Sequence, residues 1–269
     1  MGGVSLRFPV APMKAALGTL PHDDDRWAYE IKFDGFRTLA FVDGGTLRLQ
    51  SSNLIDVTGK YPELGALPGD VHARSAIVDG ELVVLDDEGR PRFELIQRHE
   101  RQAAFYAFDL LQLDGTDTIA LPYEERRRLL AEIVEPGSNW AVPGHRVGGG
   151  TELLAATAER GLEGVMAKRL GSAYLPGKRA PSWRKVKNRR RVHLVIGGYT
   201  ASENRAFGAL LVGEWDGARL VFRGGVGTGF TQRTLDELGA TMRSLRRESC
   251  PFDPNPPASY RTDAVWIEP

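Results

Sequence analysis

The chain has 269 residues, enough for one large domain or two smaller ones with proper cores. Its 35 Lys and Arg balance 35 Asp and Glu, so any phosphate or nucleic-acid site must come from local clustering and not from net charge. The single cysteine, Cys250, excludes an intrachain disulfide, and no run of about 18 apolar residues offers a transmembrane helix.

The first twenty residues lack a continuous apolar core after a basic start, so they are not read as a secretory signal. "WAYEIKFDGFRTLAFVDGGTLRLQSS" (27–52) reads as two strands joined at Asp43–Gly45, with alternation at Trp27, Tyr29 and Ile31. "SAIVDGELVVLDDEGRPRF" (75–93) predicts one strand through Ile77 and Val78, another over Leu82–Leu85, and a turn at Asp87–Gly89. "FYAFDLLQLDG" (105–115) is a further buried strand. "YEERRRLLAEIV" (123–134) is an amphipathic helix with Leu129, Leu130 and Ile133 inside and Arg126–Arg128 largely outside. "TELLAATAERG" (151–161) is a helix that Thr151 can cap and Gly161 can end, and "LEGVMAKRL" (162–170) returns as a strand.

Composition shifts most at "GKRAPSWRKVKNRRR" (177–191), which holds eight Lys and Arg and no acidic residue. Beyond it, "VHLVIGGYT", "GALLVGEW" and "RLVFRGGVG" predict three antiparallel strands. Leu235, Leu238, Met242 and Leu245 fall at helical spacing, and "AVWIEP" begins another strand. The reading is therefore α+β: a larger antiparallel-sheet domain over 1–189, then a small β-rich domain over 190–269 that falls short of a closed barrel and keeps an open edge.

Chemistry centres on "KFDGFR" (32–37). A free lysine is neutral in only about one molecule in 2,500 at pH 7, so a nucleophilic lysine needs desolvation or neighbouring cations. If "WRKVK" is a strand, Lys185 and Lys187 share one face and could serve as those cations or hold a nucleotide's phosphates. Gly35 would allow close backbone approach. Taken alone, Lys-x-Asp-Gly is also what a strand ending in an Asp-Gly turn looks like. Further along, Glu81 in "VDGEL" could accept from a ribose hydroxyl or be a plain hairpin carboxylate. Phe108 in "YAFDLL" could stack on adenine or be a core aromatic. Glu163 in "LEGVMAK" could hold Mg²⁺, which prefers oxygen ligands, or sit at a surface turn.

In that order and spacing, "KFDGFR", "DGEL", "AFDLL", "LEGVMAK" and "WRKVK" resemble the motifs of the covalent lysyl-nucleotidyltransferase superfamily. The match is best to ATP-dependent DNA ligases of the bacterial end-joining type, well over residues 8–189 and more loosely beyond. The resemblance implies an ATP-grasp-like nucleotidyltransferase domain followed by a partial OB-fold barrel. It implies Lys32 as the adenylation site, with Asp34 and Gly35 completing the motif and Arg37 contacting the nucleotide or nick phosphate. Glu81 would bind ribose and Phe108 adenine, with Glu30 at the adenine edge and Lys168 also on the nucleotide. Glu163 and Asp34 would hold Mg²⁺ or Mn²⁺, and Lys185 and Lys187 the α-phosphate. DNA would meet Lys178, Arg179, Arg189, Arg190 and Arg191 electrostatically.

The same resemblance implies a monomer without membrane attachment, cytoplasmic and associated with the nucleoid. Its implied partners are nicked or broken double-stranded DNA, an end-binding protein, and polymerase or nuclease partners. An RNA ligase or capping enzyme would share Lys32, Glu81 and Glu163, and a non-joining nick-binding relative is a third reading. Two departures stand out. "LQSSNLID" carries Ser52 where the family has an arginine that binds the nucleotide or 5′-phosphate, and Leu54 where glycine is common; Arg48 is a candidate substitute. No distal basic stretch follows "AVWIEP", so the second domain is expected to lack its distal OB strands and to load AMP slowly while still joining a pre-adenylated nick.

Overall fold

The computed structural model describes residues 6–98, 101–188 and 192–269. Arg189, Arg190 and Arg191, expected at DNA, lie outside the described residues. The chain divides into two compact units, Met1–Arg189 and Arg190–Pro269.

In chain order the first unit runs β1 (Lys14–Leu17), β2 (Trp27–Ile31), β3 (Phe36–Asp43), β4 (Thr46–Ser51), β5 (Ser75–Val83), α1 (Phe93–Arg98), β6 (Ala104–Leu113) and β7 (Thr116–Asp117). It continues through α2 (Tyr123–Ile133), β8 (Trp140–Ala141), β9 (Arg146–Val147), α3 (Gly150–Glu159), β10 (Gly164–Arg169) and β11 (Arg179–Lys187). The second unit holds β12 (Val195–Thr200), β13 (Leu210–Asp216), β14 (Arg219–Val226), α4 (Gln232–Ser244) and β15 (Ala264–Trp266).

The first unit is built on two mainly antiparallel sheets. One has the order β1-β11-β10-β2-β9; the other runs β4-β3-β5-β6-β7, with β8 added beside β6. Side-chain alternation along each strand sorts residues between layers. Leu39, Ile77 and Leu111 of the second sheet pack with Ala180 and Trp183 of the first, forming the core between them. The opposite parity, Ala40, Val42 and Val78, packs outward with Leu130 and Ile133 of α2. On the far side of the first sheet, Tyr29, Val165 and Ala167 pack against Leu153 and Leu154 of α3. Both sheets are thus covered on both faces, and each buried Val, Leu or Ile contributes about 1.5–3 kcal/mol.

Four sequence expectations change. The stretch read as one strand from Trp27 to Asp43 is two, β2 and β3, lying in different sheets and separated at Lys32–Gly35. Asp79–Gly80 does not break β5: a Cβ on Gly80 would sit 2.4 Å from the Phe105 ring, so glycine serves packing inside a continuous strand. Arg126 and Arg127 of α2 are buried, not outside. Arg126 is fully enclosed and forks onto Asp109 of β6 at 2.7 and 2.9 Å, a pairing with no signal at helical spacing. Finally, α3 is not capped by Thr151; the Asp24 carboxylate accepts from the Gly149 and Gly150 amides at 2.6 and 3.2 Å.

In the second unit an antiparallel sheet of order β14-β13-β12-β15 carries α4, whose Leu235 and Met242 pack against Tyr199, Leu210, Val212 and Ile267. Thr231 caps α4 by accepting from the Thr234 amide. Among the described residues this sheet is open, with β14 and β15 at its edges. No described helix is long and apolar enough to cross a membrane.

Candidate active site

The chain leaves one sheet for the other at Lys32. β2 ends at Ile31, yet the Lys32 amide still donates to the Gly164 carbonyl at 2.9 Å, which fixes the backbone of Lys32 at the rim of the first sheet. Asp34 and Gly35 then carry the chain into β3. A Cβ on Gly35 would lie 2.0 Å from the Leu82 carbonyl oxygen, so glycine is required by close backbone approach within the protein rather than by approach to a ligand.

Between the two sheets lies a cavity of about 260 Å³ lined by charged groups from both. Glu30, Lys32, Lys168 and Lys185 reach it from the first sheet and its edges; Arg37, Glu81 and Phe108 reach it from the second. Of the residues expected to act together, these seven are brought to one cavity. Arg179, expected at DNA, lines it too, and so does Ser52. Lys178 adjoins β1, where its carbonyl accepts from the Lys14 amide at 2.8 Å. Arg48 pairs with Asp56 at 3.4 Å, lies over Phe8, and is not among the residues lining the cavity.

At the rim, Glu163 joins two lysines. One carboxylate oxygen contacts Lys32 Nζ, and the other accepts from Lys187 Nζ at 2.7 Å. Burial would raise the Glu163 carboxyl, but hydrogen bonds from Lys187 and Lys32 and their charges outweigh it and hold the carboxyl below its usual range. Asp34 is raised instead, first by burial and then by the nearby Glu163 charge.

Deeper in, Glu30 and Lys168 form an ion pair at 2.7 Å, with Tyr123 Oη donating to Glu30 at 2.6 Å and Arg127 Nε 3.7 Å away. Burial opposes the charge on Glu30, yet Lys168 and Arg127 together lower its pKa. Lys168 Nζ also lies 4.3 Å from the centres of both the Phe108 and Trp183 rings. Arg37 sits over the same Phe108 ring at 4.6 Å and forks onto buried Asp79 at 2.5 Å through each nitrogen. Asp79 also accepts from Tyr174 Oη at 2.6 Å. Glu81 faces Arg37 across the β3–β5 pairing, and burial pushes its carboxyl up to about 7 despite Arg37 and Lys32.

Asp79, Tyr123 and Arg127 carry no signal of their own in the sequence. Asp79 lies within "VDGEL", but its role depends on Arg37 lying one strand away. Tyr123 and Arg127 sit on a helix whose charges look solvent-facing until Glu30 is seen beneath it.

A rim lysine with cations and carboxylates from two facing sheets is the layout of a site for a phosphorylated nucleotide. Comparison with known proteins narrows that class. Residues 12–187 match the family model described as "ATP dependent DNA ligase domain", and residues 203–269 match "ATP dependent DNA ligase C terminal region". The chain therefore belongs to the ATP-dependent DNA ligase family. It is 39% identical over 266 residues to the multifunctional non-homologous end joining DNA repair protein LigD of Mycobacterium tuberculosis, covering 97% of this chain and 35% of that protein. With LigD of Pseudomonas aeruginosa it shares 35% identity over 97% of this chain and 32% of the relative. It thus spans about a third of the length of these relatives. Among solved structures, mycobacterial DNA ligase D complexed with ATP superposes with a TM-score of 0.64 at 38% identity, covering 97% of this chain and 86% of the other.

Proposed function

We propose that this chain is the ligase module of an end-joining protein: an adenylation domain followed by an OB-type domain, acting on nicked or broken double-stranded DNA. The observation that carries this reading is the placement of Lys32 at the mouth of the inter-sheet cavity, in contact with Glu163 and lining the same space as Lys185. A nucleotide whose base enters beside Phe108 and Met166 would present its phosphates to Lys32 and Lys185.

Lys32 Nζ, after releasing a proton to solvent, attacks the α-phosphorus of ATP. An N–P bond forms, the bond to the β-phosphate oxygen breaks, and pyrophosphate leaves. Glu163 keeps a low pKa between its two lysines, so it orients the amine and does not take its proton. Lys185 and Lys187 stand on one face of β11 to neutralise charge on the transferring phosphate. An oxygen of a DNA 5′-phosphate then attacks the adenylate phosphorus as the N–P bond to Lys32 breaks, and the 3′-hydroxyl, giving its proton to solvent, attacks that 5′-phosphate and expels AMP. Phe108 already carries Arg37 and Lys168 near its ring, so a base stacking there would share the site with two cations. Glu81, with its raised carboxyl, can donate to a ribose oxygen as well as accept from one.

Asp34 and Glu163 are the carboxylates that would hold a divalent ion, Glu163 on releasing Lys32 or Lys187, since Mg²⁺ needs only one or two carboxylates besides phosphates and water. When bound, it would neutralise phosphate charge. Lys178 supports an electrostatic, salt-sensitive grip on DNA beside the cavity.

The test is incubation with ATP and Mg²⁺ followed by intact-mass measurement. One added AMP on the parent chain and none on Lys32→Ala is expected. No adduct on the parent after pyrophosphate treatment to strip bound AMP would refute the assignment.

A further inference from the structure

Two buried residues of α2, Tyr123 and Arg127, are not among the residues lining the cavity, yet both close on one that is. They stand one turn apart on the same helix face. Tyr123 Oη donates to Glu30 Oε1 at 2.6 Å, and Arg127 Nε lies 3.7 Å from that same oxygen. The other oxygen, Oε2, pairs with Lys168 Nζ at 2.7 Å. The helix that brings these groups is itself pinned. The Tyr123 amide donates to the Leu170 carbonyl at 2.8 Å, just past β10, and Arg126 forks onto Asp109 of β6. Arg127 is tied at its far end, where Nη2 donates to the Pro143 carbonyl. A hydrogen bond and a guanidinium charge thus converge on one carboxylate oxygen from outside the cavity and fix where Glu30 stands.

That position bears on the base. Glu30 is the direct partner of Met166 in the β2–β10 pairing, and Met166 lines the cavity. Lys168 Nζ also donates to the Phe108 carbonyl at 3.3 Å. A base held between Phe108 and Met166 would have Glu30 and Lys168 along one edge, an acceptor-only group beside a donor-only one. Adenine offers the complement, an amino donor next to a ring-nitrogen acceptor. Guanine has a carbonyl oxygen in place of that amino group and an N–H beside it. It could meet the same two groups only if they were shifted along its edge. The chemistry of the pair does not choose the base by itself; its placement does.

We propose that Tyr123 and Arg127 are positioning residues for nucleobase selection. By holding Glu30 they set the Glu30–Lys168 pair in register with a 6-aminopurine, so that the chain takes ATP over GTP. This rests on the nucleotide site proposed above. Neither residue touches the nucleotide, and Lys32 lies apart at the rim, so the effect falls on base discrimination and not on the chemical step.

The test follows single-turnover nucleotidylation of the full chain by intact mass, with Mg²⁺ and after pyrophosphate treatment. The nucleotides are ATP, GTP and purine riboside triphosphate, which lacks the amino group. At subsaturating nucleotide the parent should prefer ATP over both by at least about tenfold. Tyr123→Phe should narrow the preference over purine riboside triphosphate by about three- to tenfold. It should do so by weakening half-saturation for ATP, with the maximal rate within about twofold of the parent's. Arg127→Met should narrow the preference likewise, and Arg127→Lys, which keeps the charge, should restore most of it. Each selectivity is a ratio taken on one preparation, so partial unfolding cancels. Tyr123→Phe keeps the ring packing and decides the question alone if Arg127→Met does not fold. Unchanged ratios in Tyr123→Phe, even with a lowered Tm, would make the contact purely structural and overturn the proposal. So would a parent that takes the purine analogue as readily as ATP. A parent that forms no adduct with any of the three refutes the nucleotide reading itself, and this inference with it.

Discussion

The same two adjoining strands supply two Lys–Glu pairs of opposite order, and the two pairs have different fates. At the floor of the cavity Glu30 of β2 meets Lys168 of β10, with side chains only 6% and 1% exposed. At the rim, Lys32 just after β2 meets Glu163 just before β10, with side chains 19% and 21% exposed. Floor charges are locked by further partners, Tyr123 and Arg127 on α2, so the pair is a fixture of the fold. The rim pair is partly exposed and has a second lysine, Lys187, beside it, so its contacts can be exchanged for those of a substrate. Burial, more than residue type, separates the charge that builds the site from the charge that works in it.

The largest test of this contrast is to neutralise each glutamate. Glu30→Gln leaves Lys168 buried with its charge unmatched and should cost about 3–5 kcal/mol in chemical denaturation. Glu163→Gln, at the wetter rim, should cost about 1 kcal/mol or less, yet slow formation of the AMP adduct at least about tenfold, because the amine loses its orienting acceptor. Equal stability losses for the two variants would erase the distinction between floor and rim.

Glu81 lies between these extremes and gives a pH test of intermediate size. Burial raises its carboxyl from the ordinary 4.5 to about 7 in the folded chain. The native state therefore holds this proton more tightly than the unfolded one, and the group's contribution to stability declines as pH rises from about 4.5 to about 7. Glu81→Gln removes that decline. Against the parent it should gain about 1–2 kcal/mol between pH 5 and pH 8, read from paired thermal melts and discounted for partial exposure. A parallel pair of pH profiles would mean that Glu81 is ionised in the folded chain and belongs with the rim.

The contrast also explains what the sequence could disclose. Rim residues lie at ends and turns, where short motifs such as "KFDG" and "LEG" mark them, and the order of those motifs carried Lys32 and Glu163 together. Strand placement in the second unit followed from short apolar runs bounded by turn residues, and α4 from its helical spacing; the sheet is covered by α4 on one face and by Phe252 and its neighbours on the other. The floor was less legible. Arg126 and Arg127 sit on an amphipathic helix, where charge normally signals water, and their partners Asp109 and Glu30 come from strands distant in sequence. Nor does any local pattern show that the chain changes sheets at Lys32, because both halves of the stretch are good strands.

The smallest effect concerns the rim beside Ser52. Leu54 adopts a φ of +64°, in the left-handed region, on a turn where its side chain is 42% exposed. For an L residue that conformation costs about 1–2 kcal/mol, and little burial offsets it. Leu54→Gly removes the strain but adds about 0.5–1 kcal/mol of unfolded-state freedom, so the net gain should be about 0.5–1 kcal/mol. Leu54→Ala keeps the Cβ and the strain, and should gain nothing. Thermal melts of the two variants separate these terms: a rise of about 1–4 °C for glycine alone is expected. A loss for both would instead mean that the leucine side chain holds the turn in place. The predicted result would show a rim that keeps strain which a single substitution can release, while at the floor every substitution that removes a partner destabilises.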